Sequence, residues 1–341
     1  SIPTNIETGQ VNLPTATPID KLTPTEAESL SRAYNKFGIN FLKNRFAEEE
    51  DKNIFISPVS LEMAFSMAMM GAAPDVQQEM VNTLGYGAES NASIKTLSQK
   101  YLAAVSAPDQ DVTIAIANSI WTQTTAKVNP EFLAINRDAF QAEIRSLDLT
   151  TTAGITQVNN WVSEKTHGKI NEVLTDPLRP EQIMALINAV YFKGNWITPF
   201  DKSKTKEQVF TTSNGTSGKT AFMEQSKEFM YLENAQFQAV QLPYGAKEDW
   251  HMYVFLPKSS LTSLFKSVTL QNWQKWASEF SSRQGTIFLP KFKLEYEADL
   301  VDVMNKLGMK LAFAQGDRFP NIAPLVFIEK GIHKTYVDVN E

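Results

Sequence analysis

The sequence predicts an α+β fold carried by one large domain. Three observations lead there. Helix-type periodicity dominates the first half of the chain and strand-type runs the second. Leu61 to Met70 (LEMAFSMAMM) is apolar nearly all round, as a helix buried inside a large core must be. Ile183 to Phe192 (IMALINAVYF) is an apolar run interrupted only by Asn188, the pattern of a strand covered on both faces. No internal repeat appears, and no linker divides residues 25–341.

The elements follow in order. Residues 1–24 hold Pro3, Pro14, Pro18 and Pro24 among threonines, and read as an extended tether. Thr23-Pro24-Thr25-Glu26 ends it with a capping box and a proline at the first helical position. Leu30, Tyr34, Phe37 and Phe41 then form one stripe on a helix over about 25–46. Asn53 to Ile56 reads as a short strand. Ser57 caps the buried helix, Pro58 opens it and Gly71 closes it. Further helices are expected near 75–84, 91–105, 129–141, 155–167, 270–281 and 300–311. That over 155–167 buries Ile155, Val158 and Trp161 or Val162, and stops at Gly168. Strands are expected over Val112–Ile120, Ile183–Phe192, Gln238–Pro243, His251–Leu256, Thr286–Leu289 and Leu325–Val339.

Composition narrows the chemistry. With 43% hydrophobic and 21% charged residues the chain is globular, and a net charge of −6 argues against a nucleic-acid partner. No apolar run approaches the roughly 18 residues of a membrane span. Cysteine is absent, which excludes disulfides, thiolate zinc sites and cysteine nucleophiles. The only histidines are His167, His251 and His333, with no H-E-x-x-H pair, so no metal site is expected. There is no G-x-S-x-G elbow, and no G-x-G-x-x-G follows a strand. Gly218-Lys219-Thr220 resembles the end of a P-loop, but position 213 is serine. Lys202, Lys204 and Lys206 beside Glu207 read as a solvated loop. Asn91-Ala-Ser93 and Asn214-Gly-Thr216 are glycosylation sequons. The chain is not expected to be an enzyme or to carry a cofactor.

What remains is a set of polar residues in apolar places. Ser57 and Ser60 lie on one side of the buried helix start. Asn188 sits in the middle of its strand. His333 shares a face with Thr335, Val337 and Val339, while Lys334, Tyr336 and Asp338 point the other way. Burial demands partners, at about 1–3 kcal/mol for each one lost. Either these residues are satisfied separately, or they form one hydrogen-bonded cluster tying two strands to a helix, a latch for a sheet that opens.

Seven segments carry a resemblance. Asn53-Ile-Phe-Ile-Ser-Pro-Val-Ser60, Thr166-His-Gly-Lys-Ile170, Asn188-Ala-Val-Tyr-Phe-Lys-Gly-Asn-Trp196, Leu242-Pro-Tyr244, Phe255-Leu-Pro257, Leu289-Pro-Lys-Phe292 and Ile332-His-Lys334 through Val339-Asn-Glu341 resemble the serpin signature, in serpin order, over about residues 26–341. The resemblance implies a large five-stranded mixed sheet, two smaller sheets and about eight to nine helices. Residues 183–193 would be the third strand of the large sheet and 326–341 the fifth. In serpins these neighbours part, and a bait loop inserts between them once a protease has cut it and become acyl-linked. The implied shutter is Ser57, Ser60, Asn188 and His333. The implied breach is Trp196 and Lys291, with Glu341 at the start of the hinge. Asn160 and Trp161 lie on the helix that covers the lower sheet. The reactive bond and the last strands of the smaller sheets would follow Glu341, outside this sequence.

The implied function is suicide inhibition of serine proteases, with cysteine proteases as a second class. The partner would be the target protease in a covalent acyl complex. The chain would be a monomer, with loop–sheet polymers as its failure mode. The alternative is a serpin without inhibition, acting as a carrier, chaperone or storage protein. Ala72-Ala73-Pro74-Asp75 replaces the family's usual Gly-Ala-Lys-Gly-type turn, a change confined to a loop. The lack of cysteine and the Thr/Pro leader suggest a bacterial member. An extracytoplasmic setting, secreted or surface-tethered, is expected.

Overall fold

Thr23 starts the first helix as its capping box requires. Its Oγ1 accepts the Glu26 N–H, and the Glu26 carboxylate accepts the Thr23 N–H at 2.8 Å. The computed structural model describes residues 19–106 and 110–341, so the expected tether lies outside the described residues as far as residue 18. The elements run α1 (Pro24–Glu48), α2 (Pro58–Met69), α3 (Pro74–Thr83), α4 (Asn91–Val105), β1 (Val112–Gln123), α5 (Pro130–Phe140), β2 (Glu143–Leu147), α6 (Thr152–Lys165), β3 (Met184–Gly194), β4 (Lys206–Thr211), β5 (Ser217–Glu233), β6 (Phe237–Tyr244) and β7 (Trp250–Pro257). Then come α7 (Leu261–Ser267), α8 (Leu270–Glu279), β8 (Ser281–Pro290), β9 (Phe292–Asp299), α9 (Leu300–Leu307) and β10 (Ile332–Val339). This is the expected α+β order, with nine α-helices among the described residues.

The strands form a five-stranded sheet and two smaller ones. In the first, β4, β5, β6 and β7 lie in sequence order and β8 joins β5. The long β5 serves three partners in turn: β4 over residues 217–222, β8 over 222–231 and β6 over 230–233. The smaller sheets have the orders β2-β1-β3 and β10-β9. Antiparallel register sets Asn118 opposite Asn188 and Lys334 opposite Glu297. Residues 183–193 and 326–341, which the resemblance places side by side, are thus edges of two separate ladders. Among the described residues no ladder joins β3 to β10.

Three of the four cores among the described residues frame the site. The largest lies among the helices and is filled by Phe37, Phe41, Met63, Met67, Phe132 and Phe140 with their neighbours. A second, under α6, packs Val158, Trp161 and Val162 on Trp121, Ile187 and Ala189. A third joins the five-stranded sheet to β10 through Met223, Leu242, Leu289 and Val339.

Four expectations are corrected. Asn53–Ile56 joins no ladder; the Phe55 carbonyl accepts from the Thr335 hydroxyl of β10 instead. Residues 325–331 are not strand: the Val326 carbonyl accepts the Arg318 and Phe319 N–H groups, and the Ile328 N–H goes to the Ala312 carbonyl. α9 stops at Leu307, short of 311, because Gly308 takes a left-handed φ of 111° and caps it. β3 is not covered on both faces along its length. Its far end opens, leaving Phe192 44% exposed.

Candidate functional site

β3 and β10 border a cavity of about 730 Å³, lined by Val190, Tyr191 and Phe192 on one side and Tyr336, Val337 and Val339 on the other. Each strand has one paired edge, to β1 and to β9 respectively. The other edges carry backbone donors and acceptors that an extended chain could pair. Side chains tie the two strands at both ends of this slot. Ahead of the strands, Arg179 and Gln182 both bond to Glu329, the latter at 2.6 Å. Beyond them, Trp196 Nε1 donates to the Asn340 carbonyl at 2.8 Å.

The polar residues of the latch divide between the two sides. His333, 4% exposed, accepts the Ser57 N–H at Nε2 (3.0 Å). Thr335 Oγ1 donates to the Phe55 carbonyl at 2.5 Å. Ser57 Oγ accepts the Ser60 N–H at 3.3 Å. These bonds fasten β10 to the first turn of α2. Across the slot, Asn188 Nδ2 donates to Asn118 Oδ1 at 2.6 Å, and Asn118 Nδ2 donates to the Phe140 carbonyl at 2.6 Å. Those bonds fasten β3 to β1 and α5. Asn188 Oδ1 is buried without a partner. The residues form neither one cluster nor isolated pairs but two half-clusters, one on each wall, because the strands that carry them do not pair. Burial pushes the His333 imidazole down to about 4, so it is neutral and its Nε2 is free to accept.

Trp196, Lys291 and Glu341 meet at the upper end. Lys291 Nζ donates to Glu341 Oε2 at 2.7 Å, and Thr205 Oγ1 donates to Oε1 at 2.8 Å. The Lys291 bond chiefly, with help from Thr205, pulls the Glu341 carboxyl down to about 2. Trp196 stacks on Tyr244 with ring centroids 4.4 Å apart.

α6 covers the other end. Trp161 is buried, meets Trp121 edge-on at 5.9 Å and donates its indole N–H to Glu143 at 2.8 Å. Asn160 points to solvent and is replaced by its neighbour. Asn159 Oδ1 accepts the Val173 and Leu174 N–H groups, and its Nδ2 donates to the Leu174 carbonyl. The segment after α6 touches both walls of the slot. His167 packs on the Tyr191 ring at 4.4 Å, and the Lys169 ammonium lies 5.1 Å from the Tyr336 ring centroid. Asn118, Asn159 and Thr205 had no signal in the sequence. Each acts through a partner that only register or loop geometry brings near.

Comparison with known proteins agrees with this architecture. The family model described as Serpin (serine protease inhibitor) matches residues 32–341. Iripin-2 of Ixodes ricinus is 30% identical over 325 residues, covering 93% of this chain and 81% of the relative. Neuroserpin of Homo sapiens is 28% identical, covering 93% and 80%. Among solved structures, reactive-loop-cleaved human thyroxine-binding globulin superposes with a TM-score of 0.87 at 25% identity, covering 93% of this chain and 95% of that one. A loop C-sheet serpin polymer superposes with a TM-score of 0.84 at 28% identity, covering 96% and 85%. The two relatives come from a tick and a human, and lend the expected bacterial source no support.

Proposed function

This chain belongs to the serpin family, and from that premise we propose that it is a suicide inhibitor of serine proteases, with cysteine proteases as a second class. It would trap the acyl-enzyme by drawing its cleaved reactive loop into the slot between β3 and β10. One observation carries this reading: two strands with free facing edges, each anchored by its own half of a latch, with an ion pair at the mouth. A strand entering there gains backbone ladders on both sides and covers the exposed end of β3. Tyr191, Tyr336, Lys169 and His167 crowd the slot, so the hinge that follows Glu341 should carry small residues. Charged or bulky ones would resist burial.

None of the named residues does covalent chemistry on the protease. His333, Asn188 and the Lys291–Glu341 pair govern when the slot admits a strand. The same free edges would accept the loop of a second copy, giving loop–sheet polymers. We place the protein outside the cytoplasm, secreted or tethered by residues 1–24, which cell fractionation would test.

The test is incubation of the full-length protein with trypsin-, elastase- and subtilisin-type proteases, followed by denaturing gels. Inhibition by insertion gives a band of summed mass that survives SDS. Cleavage without such a band would favour a carrier, the reading that similarity to thyroxine-binding globulin supports.

A further inference from the structure

α2 carries a second buried titratable group, which the slot does not use. Glu62 is fully buried (0% exposed), and neither carboxyl oxygen has a hydrogen-bond partner. It lies one turn before Ser66 on the same face of the helix. The groups around it are neutral. Tyr34 comes from α1, Tyr86 from the segment after α3 and Ser66 from α2 itself. Tyr101 of α4 meets Tyr34 edge-on at 5.4 Å. The Tyr86 and Ser66 hydroxyls bond to each other at 3.1 Å, and the buried Tyr34 hydroxyl has no partner. No cation acts on the carboxyl. Lys100, the basic residue beside Tyr101, is turned away to Glu26.

A carboxylate in this place would lose its hydration with only the Tyr86 hydroxyl, already shared with Ser66, to offset the loss. A protonated acid needs only one acceptor for its O–H, and the Tyr86 hydroxyl oxygen can serve. We propose that Glu62 is a neutral carboxylic acid in the native core and weakens α2, the helix whose start holds His333, as the pH rises. Burial raises the acid well above the carboxylate range. A raised native value gives stability that is full below the unfolded value near 4.5 and is lost as the pH climbs toward the folded one. The unfolded chain then releases a proton that the native core retains. The effect is opposite in sign to that of His333, and holds whether or not the chain inhibits a protease.

The experiment compares full-length wild type with Glu62→Gln and Glu62→Met by urea unfolding between pH 5 and 8.5. The wild type should lose ground to both variants with rising pH. The ratio of unfolding constants should change by about tenfold per pH unit until the native acid itself ionises. Infrared spectra of native wild type at pH 7.5 should show a protonated-carboxyl C=O stretch that both variants lack. A difference between wild type and variants that stays constant with pH, or the absence of that band, would overturn the proposal. Should the Gln variant fail to fold, the Met variant and the wild-type band still decide.

Discussion

Acidification should release the β10 half of the latch, through His333. Its Nε2 accepts the Ser57 N–H at 3.0 Å, and a protonated imidazole has no lone pair there. Below the pKa, Ser57 would lose its acceptor and the core would gain an unpaired charge. The sign is fixed by the values. The imidazole titrates near 6.5 when unfolded and at about 4 in the native state. Its stabilising contribution is therefore whole above 6.5 and is lost as the pH falls toward 4. The full loss is about 3 kcal/mol, of which about 2 kcal/mol has gone by pH 5, roughly a 30-fold effect. Glu341, held at about 2, stays ionised at pH 5, so the ion pair at the slot mouth does not contribute. The assay is loss of monomer to polymer or loop-inserted forms, followed by native gel at pH 7.5 and 5.0. The rate of wild type relative to His333→Gln should rise by up to roughly 30-fold from pH 7.5 to pH 5, the contribution of Glu62 being common to both proteins. A ratio that stays the same at the two pH values would refute the role of this histidine.

Three further outcomes are expected. Lys291→Ala strips Glu341 of its cation and should cost about 1–2 kcal/mol, less than a buried pair because the lysine is partly exposed, with faster spontaneous polymerisation as the readout. Asn118→Ala leaves the Asn188 amide without its acceptor, and should lower stability to urea by about 1–3 kcal/mol while the β10 half of the latch stays intact. At Gly194 a Cβ would stand 2.6 Å from the Tyr244 ring, so Gly194→Ala should push that ring off Trp196 and change the tryptophan emission.

Most helices were legible because they brought their own punctuation. Thr23 and Ser57 act within a turn of the residues they cap, and such local chemistry is written in the chain. The one-turn-early stop at Gly308 and the short α7 were missed. The alternation that put His333 on the buried face of its strand was equally local. The ladders were harder. β4 is exposed along its whole length and β9 alternates charges with apolar residues, so neither shows an apolar run. The site divides the same way. His333, Asn188, Lys291 and Glu341 were singled out. That the latch lies in two halves depends on an absent ladder between β3 and β10, a fact of register that no residue type encodes. Glu62 was hidden by its apolar neighbours. One acid in LEMAFSMAMM does not alter the helical pattern, although it alters the physics of the core.

Insertion of the loop is read most directly from the melting temperature of the full-length protein before and after cleavage of its reactive loop. If the slot between β3 and β10 takes in the cleaved loop, the new central strand adds ladders on two sides, and the cleaved form should melt far above the intact one. An unchanged or lower melting temperature after cleavage would mean that the slot admits no strand, and would contradict trapping by insertion.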